Sequence, residues 1–187
     1  MRKLNIFNFI SIDGYYKGVN NDINWHRHGG DESKFSEESL KANNVLLFGR
    51  VTYEMMVGFW TSPAAKESLP NVAEGMNKAE KIIFSRTLKK TTWENSRLIS
   101  DNMIDEVRKL KQTPGNNLTV LGSGSIITQL AGANLIDSYQ LMIDPVALGD
   151  GTAIFSGMKE KLNLKLIATK VFKSGVILLS YENDSEL

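Results

Sequence analysis

The chain has 187 residues, enough for one domain with a full core, and its 42% hydrophobic and 23% charged residues are ordinary for a globular protein. Lys plus Arg number 22 against 21 Asp plus Glu, so no overall basic field invites nucleic acid or an anionic membrane surface. With no cysteine, and His26 and His28 as the two histidines, disulfides, thiolate zinc sites and histidine clusters are excluded. The N-terminal stretch MRKLNIFNFISIDG is broken by Asn5 and Asn8 and makes a poor signal peptide, and no apolar run approaches the roughly 18 residues of a membrane helix. The expectation is a single domain over residues 1–187, cytoplasmic, with no metal.

Leu4 to Ile12 reads as a first strand, stopped by the turn pair Asp13-Gly14. Residues 15–30 are polar and glycine-rich around Trp25, too irregular for an element and long enough to serve as an active-site loop. Asp31 to Asn43 has the spacing of a helix with acids at its front, and Val45 to Phe48 is an apolar run ended by Gly49-Arg50. Val51 to Trp60 resumes helical spacing. Residues 61–75, with Pro63 and Pro70, read as a connection with at most one helical turn. Lys81 to Ser85 is another short apolar strand, a further short strand is expected within 92–99, and Asp101 is placed as the N-cap of a helix reaching Lys111. Leu118 to Leu121 forms a strand buried on both faces, followed by Gly122-Ser123-Gly124-Ser125 and then Ile126, Ile127, Leu130 and Ala131 at helical spacing. Ser138 to Ile143 is a strand. Leu164 to Phe172 and Val176 to Tyr181 form a hairpin around Lys173-Ser174-Gly175. Strands alternate with helices first and then follow one another directly, which is an α/β sheet, mostly parallel, finished by antiparallel strands.

Three of these strands end in glycine or basic turns: Phe48-Gly49-Arg50-Val51-Thr52, Phe84-Ser85-Arg86-Thr87 and Leu121-Gly122-Ser123-Gly124-Ser125. In an open parallel sheet, ligands bind beyond the carboxyl ends of strands, so the turns are expected to converge. They supply two arginines, several hydroxyls and helix N-termini, a set suited to an extended polyphosphate. The glycine turn lacks the third glycine of the dinucleotide fingerprint, Ile127 standing in its place, and a tight strand-to-helix turn with no ligand is the other reading of that segment.

The Gly49-Arg50-Val51-Thr52-Tyr53-Glu54 turn, the Ser-Arg-Thr turn, the Gly-Ser-Gly turn, Leu135-Ile136-Asp137, and Pro145 to Gly151 with Phe155 together resemble the dihydrofolate reductase superfamily. Within it the chain is most similar to the C-terminal reductase domain of bacterial riboflavin biosynthesis, from Leu4 to about Tyr181. The resemblance implies a dihydrofolate reductase-like three-layer α/β fold, a mostly parallel central sheet with an antiparallel C-terminal hairpin and helices on both faces. It implies NADPH as cofactor, with Gly49, Arg50, Thr52, Gly122, Ser123, Gly124 and Ser125 at the pyrophosphate and Ser85 and Arg86 near the 2′-phosphate. Ile12, Asp13 and Gly14 would edge the nicotinamide pocket. Hydride reduction also needs a proton source, and a carboxyl in a partly apolar cleft is the usual one. Asp31 is the leading candidate, with Trp25 and Phe35 against the substrate and Glu32 and Asp13 in reserve; Asp31 as a helix cap is the competing reading. His26 and His28 are expected to be exposed and idle, contact of one of them with substrate being the lesser reading. Riboflavin-type reductases grip a ribose phosphate with an arginine just before the Val45 strand, where this chain has only Lys41.

The implied activity is NADPH-dependent reduction of a small heterocycle, resembling 5-amino-6-(5-phosphoribosylamino)uracil reductase. A dihydrofolate or pterin reductase, a nucleotide-binding protein without turnover, and a dinucleotide-fold dehydrogenase using Asp144 at the ribose are the rivals. The last fits poorly, because only a turn and a hairpin follow its fingerprint. The exposed edge of the closing hairpin, and the dimers formed there in the riboflavin branch, imply a homodimer.

Overall fold

The computed structural model describes residues 1–184. In chain order its elements are β1 (Leu4–Ser11), β2 (Tyr15–Lys17), α1 (Gly30–Lys41), β3 (Val45–Gly49), α2 (Arg50–Trp60), α3 (Pro63–Ser68), α4 (Pro70–Lys78), β4 (Lys81–Phe84), β5 (Ser96–Ile99), α5 (Met103–Gln112), β6 (Leu118–Leu121), α6 (Gly124–Gly132), β7 (Ser138–Asp144), β8 (Thr152–Ala153), β9 (Leu164–Val171) and β10 (Ile177–Asn183). Eight strands form one sheet in the order β5-β4-β3-β6-β1-β7-β10-β9. The strands from β5 to β7 are parallel, and β10 and β9 close the sheet antiparallel. The fold is the mostly parallel three-layer sandwich expected.

Pleating explains the layers. Along β1, Leu4, Ile6 and Ile10 point to one face and join a core with Val107 of α5 and Ile127 and Leu130 of α6, while Phe7 and Phe9 point to the other and meet Phe35 of α1. Leu46 and Phe48 of β3 face that second side too, against Tyr53 of α2 and Val72 and Met76 of α4. The short strands β3, β4 and β6 lie between two layers of helix, so their side chains are apolar on both faces and the sequence shows runs rather than alternation.

Several expectations change. Residues 61–75 are not a connection: α3 and α4 occupy most of them, each opening with proline in its first turn, where the missing N–H is no loss, and Ser62 Oγ accepts from Ala65 N at 3.2 Å to cap α3. Asp101 does not cap α5; Asn102, in left-handed conformation at φ 53°, precedes it without a side-chain cap. Nor does Asp31 cap α1, which begins at Gly30 after Gly29. The loop 15–30 is partly regular, because β2 pairs with β8 from far down the chain. Lys81 is fully buried and donates to the carbonyls of Met76, Asn77 and Ala79 at 2.8, 2.9 and 2.6 Å, so its ammonium sits on the negative end of α4. Burial pushes its pKa down to about 8.

Candidate active site

Because β3, β4 and β6 run parallel and in close register, their carboxyl ends open on one margin of the sheet. The three turns that follow them line a single cavity of about 1830 Å³: Gly49, Arg50 and Thr52 from the first, Ser85 and Arg86 from the second, and Gly122, Ser123, Gly124 and Ser125 from the third. Arg50, Arg86 and Ser123 therefore share one space. Its volume exceeds the roughly 300–1,000 Å³ of a pocket for one small ligand.

Local chemistry ties the turns together. Ser123, left-handed at φ 62° and 5% exposed, accepts the Gly49 N–H on its Oγ at 3.0 Å and donates to Leu121 O at 3.3 Å, stitching the first turn to the third. Gly122 adopts φ +59°, and a Cβ there would stand 3.0 Å from Thr52 Cγ2, so this turn needs glycine for both conformation and space. At Gly124, which opens α6, a Cβ would stand 2.7 Å from the Tyr16 ring and 3.2 Å from its hydroxyl, so the Tyr16 side chain lies directly over the helix start. Ser85 Oγ shapes the second turn by accepting from Thr87 N and Leu88 N at 3.2 and 3.0 Å. The two arginines differ. Arg50 is paired with Glu54 at 2.9 Å, whereas Arg86 is exposed and has no ion pair among the described residues.

From this margin the cavity continues between the sheet and the helices of the second face, where Phe7 and Phe9 of β1, Met56 and Trp60 of α2 and Met76 of α4 line it. Six of the expected residues lie off its wall. Asp31 is ion-paired with Lys34 at 3.6 Å at the start of α1. Phe35 packs into the core against Phe7 and Phe172, and Trp25 donates its indole N–H to Asp22 O at 3.1 Å. Ile12 is 64% exposed, and Gly14 accepts from Ile154 N. Asp13 accepts from Ser11 Oγ at 2.5 Å and from the N–H groups of Leu148 and Gly149 at 3.0 and 2.8 Å, which hold its pKa below the usual carboxylate range and make it the clasp of that turn.

Other residues reach the site unforeseen. His26 and His28 both line the cavity, with rings 5.0 and 4.8 Å from Phe9; His28 is exposed as expected, whereas His26 is partly buried. His26 Nε2 is buried without a partner, and desolvation lowers that imidazole's pKa to about 3, so it is neutral at physiological pH. Their loop is anchored by Asp144, fully buried at the end of β7, whose Oδ1 accepts from Arg27 N at 2.9 Å. The Arg27 guanidinium donates to Ser174 O at 2.5 Å, and Ser174 Oγ in turn donates to the buried Glu32. Burial raises the Asp144 pKa to about 6. Asp144 is thus a loop anchor off the cavity wall and no ribose acceptor, which removes the dinucleotide-fold reading. Asn8, 2% exposed on the cavity wall, leaves both amide atoms unpaired, at a cost of about 1–3 kcal/mol. A polar residue in register with Leu4, Ile6 and Ile10 was the signal in the sequence that could have found it.

Comparison with known proteins agrees with the fold. The sequence matches the model of the RibD C-terminal domain over residues 2–178. It is 30% identical over 176 residues to the uncharacterized protein YyaP of Bacillus subtilis (strain 168), covering 92% of this chain and 90% of that one. Among solved structures it is similar in fold to a putative riboflavin biosynthesis protein from Shewanella sp. PV-4 (TM-score 0.76, 18% identity, 97% of this chain and 99% of that one). It likewise resembles a deaminase/5-amino-6-(5-phosphoribosylamino)uracil reductase from Thermotoga maritima (TM-score 0.71, 12% identity, 98% and 57%). The dihydrofolate reductase of Enterococcus faecalis, complexed with NADP(H), shares the fold as well (TM-score 0.68, 16% identity, 98% and 97%).

Proposed function

Since the chain belongs to the RibD C-terminal domain family, we propose that it is an NADPH-dependent reductase of a small heterocyclic carbonyl or imine. The observation that carries this reading is the convergence of three separate turns, with two arginines and the N-terminus of α6, on one cavity large enough for a dinucleotide and a second ligand. The residues fit the cofactor: Gly122 and Gly124 put no side chain between a pyrophosphate and the turn, and the α6 N-terminus and dipole favour an anion. Arg86, unpaired, is the cation for the 2′-phosphate, while Arg50 is already neutralised by Glu54. When bound, NADPH supplies the hydride. The chain's own part is to hold the phosphates at this margin, to present the substrate from beneath α1 and to exclude water along the Phe7–Phe9 wall.

A fluorescence titration with NADPH and NADH tests the reading. Arg86→Ala weakens NADPH by about tenfold or more and leaves NADH within about twofold, because only NADPH carries the phosphate a guanidinium grips. Arg50→Ala has the smaller effect. Equal loss for both nucleotides sinks the assignment, and binding without oxidation against any acceptor favours a nucleotide-binding protein. The edge strand β9 exposes Leu166, Ile167 and Val171. We read it as the contact of a cytoplasmic homodimer, which light scattering measures directly.

A further inference from the structure

The part of the cavity beneath α1 is where a substrate lies if the reductase reading holds, and its wall is unlike the margin that receives phosphates. Val51, Met55 and Phe59 recur at intervals of four along α2 and so form one stripe. They line the cavity while remaining 50%, 36% and 45% exposed, an apolar strip that the described residues leave partly uncovered. Behind the strip, Met56, Trp60 and Met76 join the apolar cluster around Leu46 and Phe48. Thioether side chains adapt their shape to what lies on them.

Charge is distributed just as unevenly. The lysines and arginines that line the cavity, among the described residues, are Lys17 on β2, Arg50 at the first residue of α2, where Glu54 pairs with it at 2.9 Å, and Arg86 on the turn after β4; none comes from α1, α3, α4 or the rest of α2. Lys41, the last residue of α1, is not on the cavity wall and lies 2.6 Å from Glu38 and 3.7 Å from Glu37. A phosphate brought here would lose its water against methionine and tryptophan with no counter-charge, and burying an unpaired ion is among the costliest things a site can do.

We infer that the substrate is an uncharged planar ring carrying an apolar tail, the tail lying along Val51, Met55 and Phe59, and that it is not a phosphorylated nucleoside. This rests on the reductase reading for its ring and its orientation toward the phosphate margin. The tail specificity rests on the stripe and the missing cation.

Trp60 in the lobe provides the probe. The full chain is first titrated with NADPH, then with a pteridinone bearing ethyl, butyl or hexyl tails and with the same ring bearing a ribose 5-phosphate, following Trp60 fluorescence with Trp60→Phe as the control for its origin. Affinity is expected to rise about fourfold per added methylene until the strip is filled. The phosphorylated probe is expected to bind about tenfold or more weaker than the butyl one, and Met55→Lys to reverse that order. A phosphorylated probe that binds as tightly as the alkyl series in the unaltered chain overturns the inference. So does a Met55→Lys protein that treats both probes as before, or one that falls from dimer to monomer in light scattering, which would give the strip to a second copy of the chain. Loss of NADPH binding alone would fail the reductase reading and leave the tail series to be judged separately.

Discussion

The phosphate margin and the lobe beneath α1 belong to one cavity but are assembled from different kinds of information. At the margin, backbone does most of the work: Gly122 and Ser123 in left-handed conformations and the opening turn of α6 are short-range features, and one bond across the chain, from Gly49 N to the Ser123 hydroxyl, ties them to the turn after β3. The lobe is made of side chains from β1, α1, α2 and α4, brought together only by the packing of α1 on α4 and of both on the sheet. On the proposed reading, one region would recognise a charge pattern common to many nucleotides, and the other would set which ring and tail can stand beside it. A family can therefore keep its cofactor while changing its substrate by altering a few helix side chains.

Three changes separate the regions further. The largest effect is expected at Gly151, whose φ is +145° and where a Cβ would stand 2.3 Å from the backbone oxygen of Lys17. Neither atom can yield, so Gly151→Ala should cost about 3–4 kcal/mol in urea unfolding by breaking the β2–β8 pair. If the margin depends on that pair through Tyr16 and the lobe does not, the variant loses nucleotide affinity and keeps Trp60 quenching by alkyl probes; equal loss of both erases the distinction.

Asp144 tests the anchor of the histidine loop through pH. Its folded pKa of about 6 lies above the ordinary 3.8, so the folded state holds the extra proton, and stability from this group, full below 3.8, falls as pH rises to about 6. His26 acts oppositely: neutral in the fold down to about 3 and charged in the unfolded chain below 6.5, it adds stability as pH rises through that window. Asp144→Asn removes the first slope and leaves the second. The variant's unfolding free energy should climb more steeply between pH 4 and 6, gaining about 2–3 kcal/mol on the unaltered protein by pH 7. Parallel curves would show that Asp144 titrates normally.

The smallest effect belongs to Tyr16. Its hydroxyl lies over the first residue of α6, 3.2 Å from where a Gly124 Cβ would stand, at a helix start that would otherwise be open to an anion. Tyr16→Phe, which removes that hydroxyl, is expected to tighten NADPH by about two- to threefold, since the net worth of one hydrogen bond gained by the anion is modest. A weaker complex would mean that the hydroxyl itself touches the nucleotide.

How far the fold was legible follows the same division. The runs Val45–Phe48, Lys81–Phe84 and Leu118–Leu121 announce themselves because strands buried on both faces can hold little else, and the turns after them are short-range glycine and hydroxyl chemistry. Pro63 and Pro70 misled, because a proline that stops one helix equally well starts another. The pairing of Tyr15–Lys17 with Thr152–Ala153, the anchoring of Arg27 by Asp144, and the packing of the histidine rings on Phe9 join residues distant along the chain, and no local pattern encodes them. Asp31 looked well placed by order alone, but the helix turns its carboxylate toward Lys34 and presents Ser33 and Ser36 to the cavity.

Lys81 carries a last consequence. With its amine sealed among three carbonyls and no surface of its own, it is the lysine that acylating reagents cannot reach while the corner between α4 and β4 is closed. Once that corner opens the amine is as nucleophilic as any other. The rate at which mass spectrometry sees Lys81 labelled, beside surface lysines that react at once, is a clock for the breathing of this corner, built into the chain without any added probe.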